Sequence, residues 1–89
     1  MKYIRFTVSG RVQGVGFRHH VYLKALALGA TGYVRNLGAN QVEVVLDEAS
    51  TFNLPIMKLI LDGPPLARVT YIDTDEMEFA SEIRTFSIR

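Results

Sequence analysis

A chain of 89 residues and 10.0 kDa, 48% apolar and 21% charged, suits one small globular domain over 1–89 rather than a disordered or fibrous protein. The absence of cysteine excludes a disulfide framework, a thiolate nucleophile and a cysteine-built zinc site. No apolar run approaches the ~20 residues of a membrane span and no cleavable leader opens the chain, so a cytoplasmic protein away from membranes is expected.

In residues 2–9, Ile4, Phe6 and Val8 alternate with Tyr3, Arg5 and Thr7, the period of a strand with one buried face. Ser9-Gly10 ends it, and Gly10, Gly14 and Gly16 crowd the next seven positions. From Phe17 the spacing becomes helical: Phe17, Val21, Ala25 and Leu28 form one stripe, and Gly29 is placed to stop it. A second strand is predicted near 31–36, a turn at 37–40 around Gly38 and two asparagines, and a third strand over 42–47. Ser50 or Thr51 is the predicted cap of a second helix that carries Pro55 in its first turn and stops at Gly63-Pro64-Pro65. Between Phe52 and Leu61 that helix is apolar beyond a single stripe; deep packing is expected over an exposed patch. Strands near 67–74 and 83–88 complete the chain. The order fits an α+β, ferredoxin-like βαββαβ sandwich, an antiparallel sheet of four to five strands with two helices on one face.

The net charge of +1 conceals an asymmetry. Lys2, Arg5, Arg11, Arg18, Lys24 and Arg35 stand in residues 1–42 without one carboxylate, and four bases against nine acids follow. Either the first half focuses positive potential on an anionic partner, or the halves interleave and the charges mix.

The loop between the first strand and the first helix, Gly10-Arg11-Val12-Gln13-Gly14-Val15-Gly16-Phe17-Arg18-His19-His20, bears on that choice. Its helix opens without a Ser, Thr, Asp or Asn cap and without an acid, and places cations against the positive end of the helix dipole. A bound oxyanion resolves both conflicts. It accepts from the N–H groups at the helix start and pairs with the planar guanidinium of Arg18, while the glycines let the backbone curl. The loop by itself also admits a plain tight turn with a solvated Arg18. It is neither a P-loop nor a dinucleotide fingerprint, for which the glycine spacing and the Lys-[Ser/Thr] pair are missing.

The run Gly10-Arg11-Val12-Gln13-Gly14-Val15-Gly16-Phe17-Arg18 resembles the signature loop of the acylphosphatase family, and Gly32-Tyr33-Val34-Arg35-Asn36 resembles its second signature. Weaker likenesses lie at Ala25-x-x-Leu28-Gly29, at Gly63-Pro64-Pro65-Leu66-Ala67-Arg68-Val69 and at Phe86-Ser87-Ile88. The resemblance implies the ferredoxin-like sandwich and hydrolysis of acyl phosphates to carboxylate and inorganic phosphate, with no metal or organic cofactor. It implies Arg18 and Asn36 as the catalytic pair. Gln13, Gly14, Val15, Gly16, Phe17 and Arg18 then form the phosphate-binding loop, with Arg18 holding the phosphate and Asn36 orienting water. The expected partner is a small-molecule acyl phosphate, and the expected form a free-standing monomer rather than the opening domain of a larger carbamoyl-phosphate-handling enzyme.

The residues suffice for this chemistry. The leaving group is a stabilised carboxylate, so positioning and charge stabilisation dominate, and an asparagine orients water without titrating. His19 and His20, about 100° apart on a helix, read as surface or partly packed side chains, and Arg11 and Arg35 as solvated charge. Where the family commonly has an Asp-Gly turn after the asparagine, Leu37-Gly38-Ala39-Asn40-Gln41 stands instead; Tyr33 occupies a position often held by tryptophan. The alternative is a non-enzymatic anion- or RNA-binding module of the same fold, with Tyr3, Arg5, Tyr33 and Arg35 offering a basic aromatic sheet face. The low net charge speaks against nucleic acid.

Overall fold

The computed structural model describes all residues, 1–89. The elements run β1 (Lys2–Arg11), α1 (Phe17–Leu28), β2 (Gly32–Asn36), β3 (Gln41–Asp47), a 3-10 turn (Glu48–Phe52), α2 (Leu54–Asp62), β4 (Arg68–Glu78) and β5 (Phe86–Ile88). Five strands form one sheet in the order β4-β1-β3-β2-β5. The sequence suggests an antiparallel sheet; the first four strands obey, but β5 runs parallel to β2, pairing Gly32 with Phe86 and Val34 with Ile88. The chain reaches that edge after crossing from the opposite edge strand, so β5 arrives in the direction of β2.

Period-two patterning decides what each face of the sheet buries. Phe6, Val8, Val34, Val42, Val44 and Leu46 meet Phe17, Val21 and Ala25 of α1 and Met57 and Ile60 of α2, which puts both helices on one face. The opposite face is also covered. Tyr3, Tyr33 and Val45 lie beneath Met77, Phe79 and Ile83, and the Tyr3 hydroxyl donates to the Ile83 carbonyl and accepts from its N–H. Burial and the nearby carboxylate of Glu43 hold the Tyr33 phenol above its ordinary pKa.

Glycine is required at position 10, where φ is +133° and β1 shifts register against β4. A Cβ there would run into the Arg68 carbonyl oxygen. This irregularity lets the end of β1 turn away from the sheet toward the loop before α1.

Two expectations about α2 fail. Its cap is Asn53, whose side chain accepts from the Ile56 N–H at 3.3 Å; Ser50 instead bonds back to Asp47, which caps the preceding 3-10 turn. Nor does the helix pack deeply. Only Met57 and Ile60 are buried, while Phe52, Leu54 and Leu59 are exposed along with Leu66. With nine residues and one sheet-facing stripe, α2 cannot turn its remaining apolar side chains inward. Ile60→Ala is therefore expected to cost about 2–4 kcal/mol through its cavity, and Leu54→Ala about 0.5 kcal/mol or less. Urea unfolding of the two variants measures the contrast.

Candidate active site

The loop after β1 carries the conformations its glycines suggest. Gly14 and Gly16 have φ of +73° and +81°, and Gly16 is the N-cap of α1 with no side chain bonded to the helix start. A Cβ on Gly16 would meet nothing, so glycine serves the left-handed backbone there rather than a close approach. The first turn holds no acid. His20 N–H donates to the Gly16 carbonyl at 3.0 Å, whereas the N–H groups of residues 13–19 find no acceptor in the protein. Seven consecutive donors thus stand unpaired where the helix dipole is positive.

The charges resolve the open question of the basic first half. Lys2 pairs with Glu48 and Glu76, Arg5 with Asp75 and Glu43, and Arg35 with Glu43, all acids of the second half. The halves do interleave, and three of the six early cations are neutralised. Hydrogen bonding to Asp75 raises the Arg5 pKa, as that to Glu43 raises the Arg35 pKa. Arg35 is therefore an ion-pair partner of buried Glu43 rather than solvated charge. Arg11, Arg18 and Lys24 remain without a carboxylate, and Arg18 is the one at the helix N-terminus.

Val12, Gln13, Gly14, Gly16, Phe17, Arg18, His19, Asn36 and Ile88 line a concavity of about 250 Å³. The structure thereby brings Arg18, from the start of α1, and Asn36, from the end of β2, to one depression. Of the six loop residues predicted for phosphate, Val15 does not line it and is instead half-buried against the core. Phe17 contributes main chain, since its ring is buried among the core side chains. The Gln13 side chain turns to the β2–β3 turn, where its amide donates to the carbonyls of Leu37, Gly38 and Gln41.

The turn departs from the family's common residues, yet it closes. Leu37 N–H donates to the Gln41 carbonyl at 3.0 Å, Asn40 takes φ of +66°, a conformation asparagine tolerates, and pairing of β2 with β3 continues to Asn36 opposite Val42. Three lining residues were not foreseen, the first of them Val12, which directly follows β1 and is buried in the core. His19 follows Arg18 around the first turn. Ile88 enters because β5 lies parallel beside β2, a pairing without a local sequence signal. His20 points elsewhere, its Nε2 lying 2.8 Å from the Leu59 carbonyl of α2.

A larger groove of about 520 Å³ adjoins this one, lined by Ser9 to Gln13, Ala39 to Gln41 and Thr70. Arg11 is its only charged group, and it lacks the helix N-terminus. The smaller concavity holds the donors. No three His, Cys, Asp or Glu side chains gather in a metal-binding group, and no helix is long and apolar enough to cross a membrane.

The fold is a ferredoxin-like α+β sandwich whose uncapped, arginine-bearing helix start, one loop after the first strand, suits an anion. The family model for acylphosphatase matches residues 4–88. An acylphosphatase from Methylococcus capsulatus is 41% identical over 88 residues, covering 99% of this chain and 96% of that protein. The crystal structure of acylphosphatase from Bacillus subtilis superposes with a TM-score of 0.85 at 32% identity, covering 100% of this chain and 99% of that one. The chain also matches T. kodakarensis HypF, with a TM-score of 0.80 and 36% identity over 100% of its own length but 12% of that protein. The chain belongs to the acylphosphatase family, and it is an enzyme that hydrolyses acyl phosphates.

The RNA-binding alternative loses its surface. Tyr3 and Tyr33 are 2% and 6% exposed, Arg89 sits 4.0 Å over the Tyr33 ring, and Arg5 and Arg35 are occupied by Glu43 and Asp75. Base stacking needs open aromatic faces. This sheet offers none at those positions.

Proposed function

We propose that the phosphoryl group of the acyl phosphate sits at the N-terminus of α1, held by Arg18 and by N–H groups of residues 13–18, with Asn36 orienting the attacking water. One observation supports the assignment: Gln13, Gly14, Gly16 and Phe17, whose amides are unpaired, border one depression together with Arg18, which has no carboxylate partner, and Asn36. Gln13, Gly14, Val15 and Phe17 act through main chain, and Gly16 through the backbone turn that it permits.

Arg18 and the amides neutralise the phosphoryl oxygens before the reaction begins, so charge developing in the transition state meets fixed donors. The Asn36 amide oxygen accepts a hydrogen bond from water and aims it at phosphorus. The water oxygen forms the new P–O bond. The P–O bond to the acyl group breaks, with its electron pair leaving on the carboxylate. The water's proton passes to a phosphate oxygen, which completes the balance as carboxylate and inorganic phosphate. A stabilised carboxylate needs no general acid to leave, and no metal or organic cofactor enters this scheme.

The same reading has residues 1–89 act as one domain and a monomer in the cytoplasm, on a small molecule and without nucleic acid. Release of phosphate from benzoyl phosphate in the presence of EDTA tests the proposal. Undiminished turnover is expected. Activity lost with EDTA and restored by a divalent ion would remove the metal-free scheme.

A further inference from the structure

We propose that Gln13 is a positioning residue: its side-chain amide locks the 37–41 turn to the phosphate loop and so fixes Asn36 against the phosphoryl group. This rests on the site assigned above and deepens it. Gln13 Nε2 lies 3.1 Å from the Leu37 carbonyl, 2.7 Å from that of Gly38 and 2.9 Å from that of Gln41. Its two hydrogens are thus shared among three acceptors, all on the segment that directly follows Asn36. The Gln41 carbonyl also closes the turn by accepting from Leu37 N–H. Two further bonds seat the same turn on β1: Gly10 N–H donates to the Asn40 carbonyl at 3.0 Å, and the Gln41 amide to the Ser9 hydroxyl at 3.1 Å.

Those two bonds join strand to hairpin upstream of the loop. Only the Gln13 side chain joins the turn to the loop whose amides line the concavity. Asn36 and the amide cradle come from segments more than 15 positions apart in sequence. The β1–β3–β2 ladder sets their coarse placement, and the Gln13 amide, with no second function visible, is the cross-link that ties the turn to the loop itself. With Gly38 and Ala39 at its tip, the turn brings no side chain of its own to fix the loop. A glutamine can donate twice from one nitrogen. An asparagine is shorter by one methylene, and a glutamate at neutral pH would face three carbonyls with acceptors only.

The test is kinetic. Gln13→Met keeps the length and removes the donors. It is expected to lower kcat by ~10- to 100-fold, the scale of a misplacement of about 1 Å. KM and competitive inhibition by inorganic phosphate should stay within about twofold. Combined with Asn36→Ala, it should cost little beyond Asn36→Ala alone, because both changes remove one function. Gln13→Glu should be as impaired at neutral pH. Relative to wild type at each pH, it should recover as acid protonates the carboxyl and restores one donor. Wild-type kcat in Gln13→Met overturns the inference, as does phosphate inhibition lost in step with kcat, which would make Gln13 an anion ligand. Full additivity with Asn36→Ala also overturns it. An active wild type insensitive to Asn36→Ala would instead overturn the site assignment, and this inference with it.

Discussion

Arg18→Ala is expected to lower kcat/KM for acyl phosphate hydrolysis by about 10³- to 10⁵-fold, the range associated with an arginine that stabilises a transferring phosphoryl group. Inorganic phosphate should cease to compete at the same time. Both follow from the balance of charge in the fold. The other early cations near the sheet, Arg5 and Arg35, are held by Glu43 and Asp75 and cannot swing to a ligand without abandoning a buried carboxylate. Arg18 carries no such bond. It faces the positive end of α1, an arrangement that is mildly unfavourable until an anion arrives. Stability should therefore change by no more than about 0.5 kcal/mol, and the loss of activity cannot be a loss of fold. Arg18→Lys should recover only part of the activity, because an ammonium supplies the charge but not the planar fork that meets two phosphate oxygens at once. Full activity in Arg18→Ala, with phosphate inhibition intact, would place the reaction elsewhere.

How much of this was legible before the fold was known follows from the reach of each signal. The β1–loop–α1 unit is local. Glycines fill the loop and the stripe Phe17-Val21-Ala25 sets the helix face, so strand, loop and helix follow in the expected order, although β1 runs past the end of its alternation at Ser9, through the register shift at Gly10, to Arg11. Arg18 could be singled out because an uncapped helix that opens with cations is a local contradiction. Asn36 could be chosen only through the family's second signature, since an asparagine at a strand end has an ordinary turn explanation. The features that were missed are non-local. Whether Arg35 is free depends on Glu43 opposite it across the β2–β3 ladder. Whether the second sheet face is open depends on residues 79–83 folding back over Tyr3 and Tyr33. The parallel arrival of β5, and with it Ile88 at the site, depends on where the chain of residues 79–85 after β4 comes to rest. Gln13 joins the phosphate loop through the family's motif, which says nothing of its side chain; only the hairpin's position shows three carbonyls within that side chain's reach.

Asn36→Ala separates binding from turnover. Arg18 and the amides of the loop are untouched by it, so KM and phosphate inhibition should stay near wild type, whereas kcat should fall by about 10²- to 10³-fold, the usual cost of removing one group that acts on the reacting atoms. The exposed position of Asn36 at the end of β2, ahead of a turn closed by main-chain bonds, argues against a structural cost. Asn36→Asp is the sharper variant. It keeps the size and an acceptor for water but adds a negative charge beside the phosphoryl group, so it should raise KM as well as lower kcat. The two substitutions thus predict different patterns from one geometry. Should Asn36→Ala instead raise KM and leave kcat unchanged, Asn36 would be a ligand of the substrate, and the water would have to be oriented by some other group at the rim, of which His19 is the nearest in the chain to Arg18.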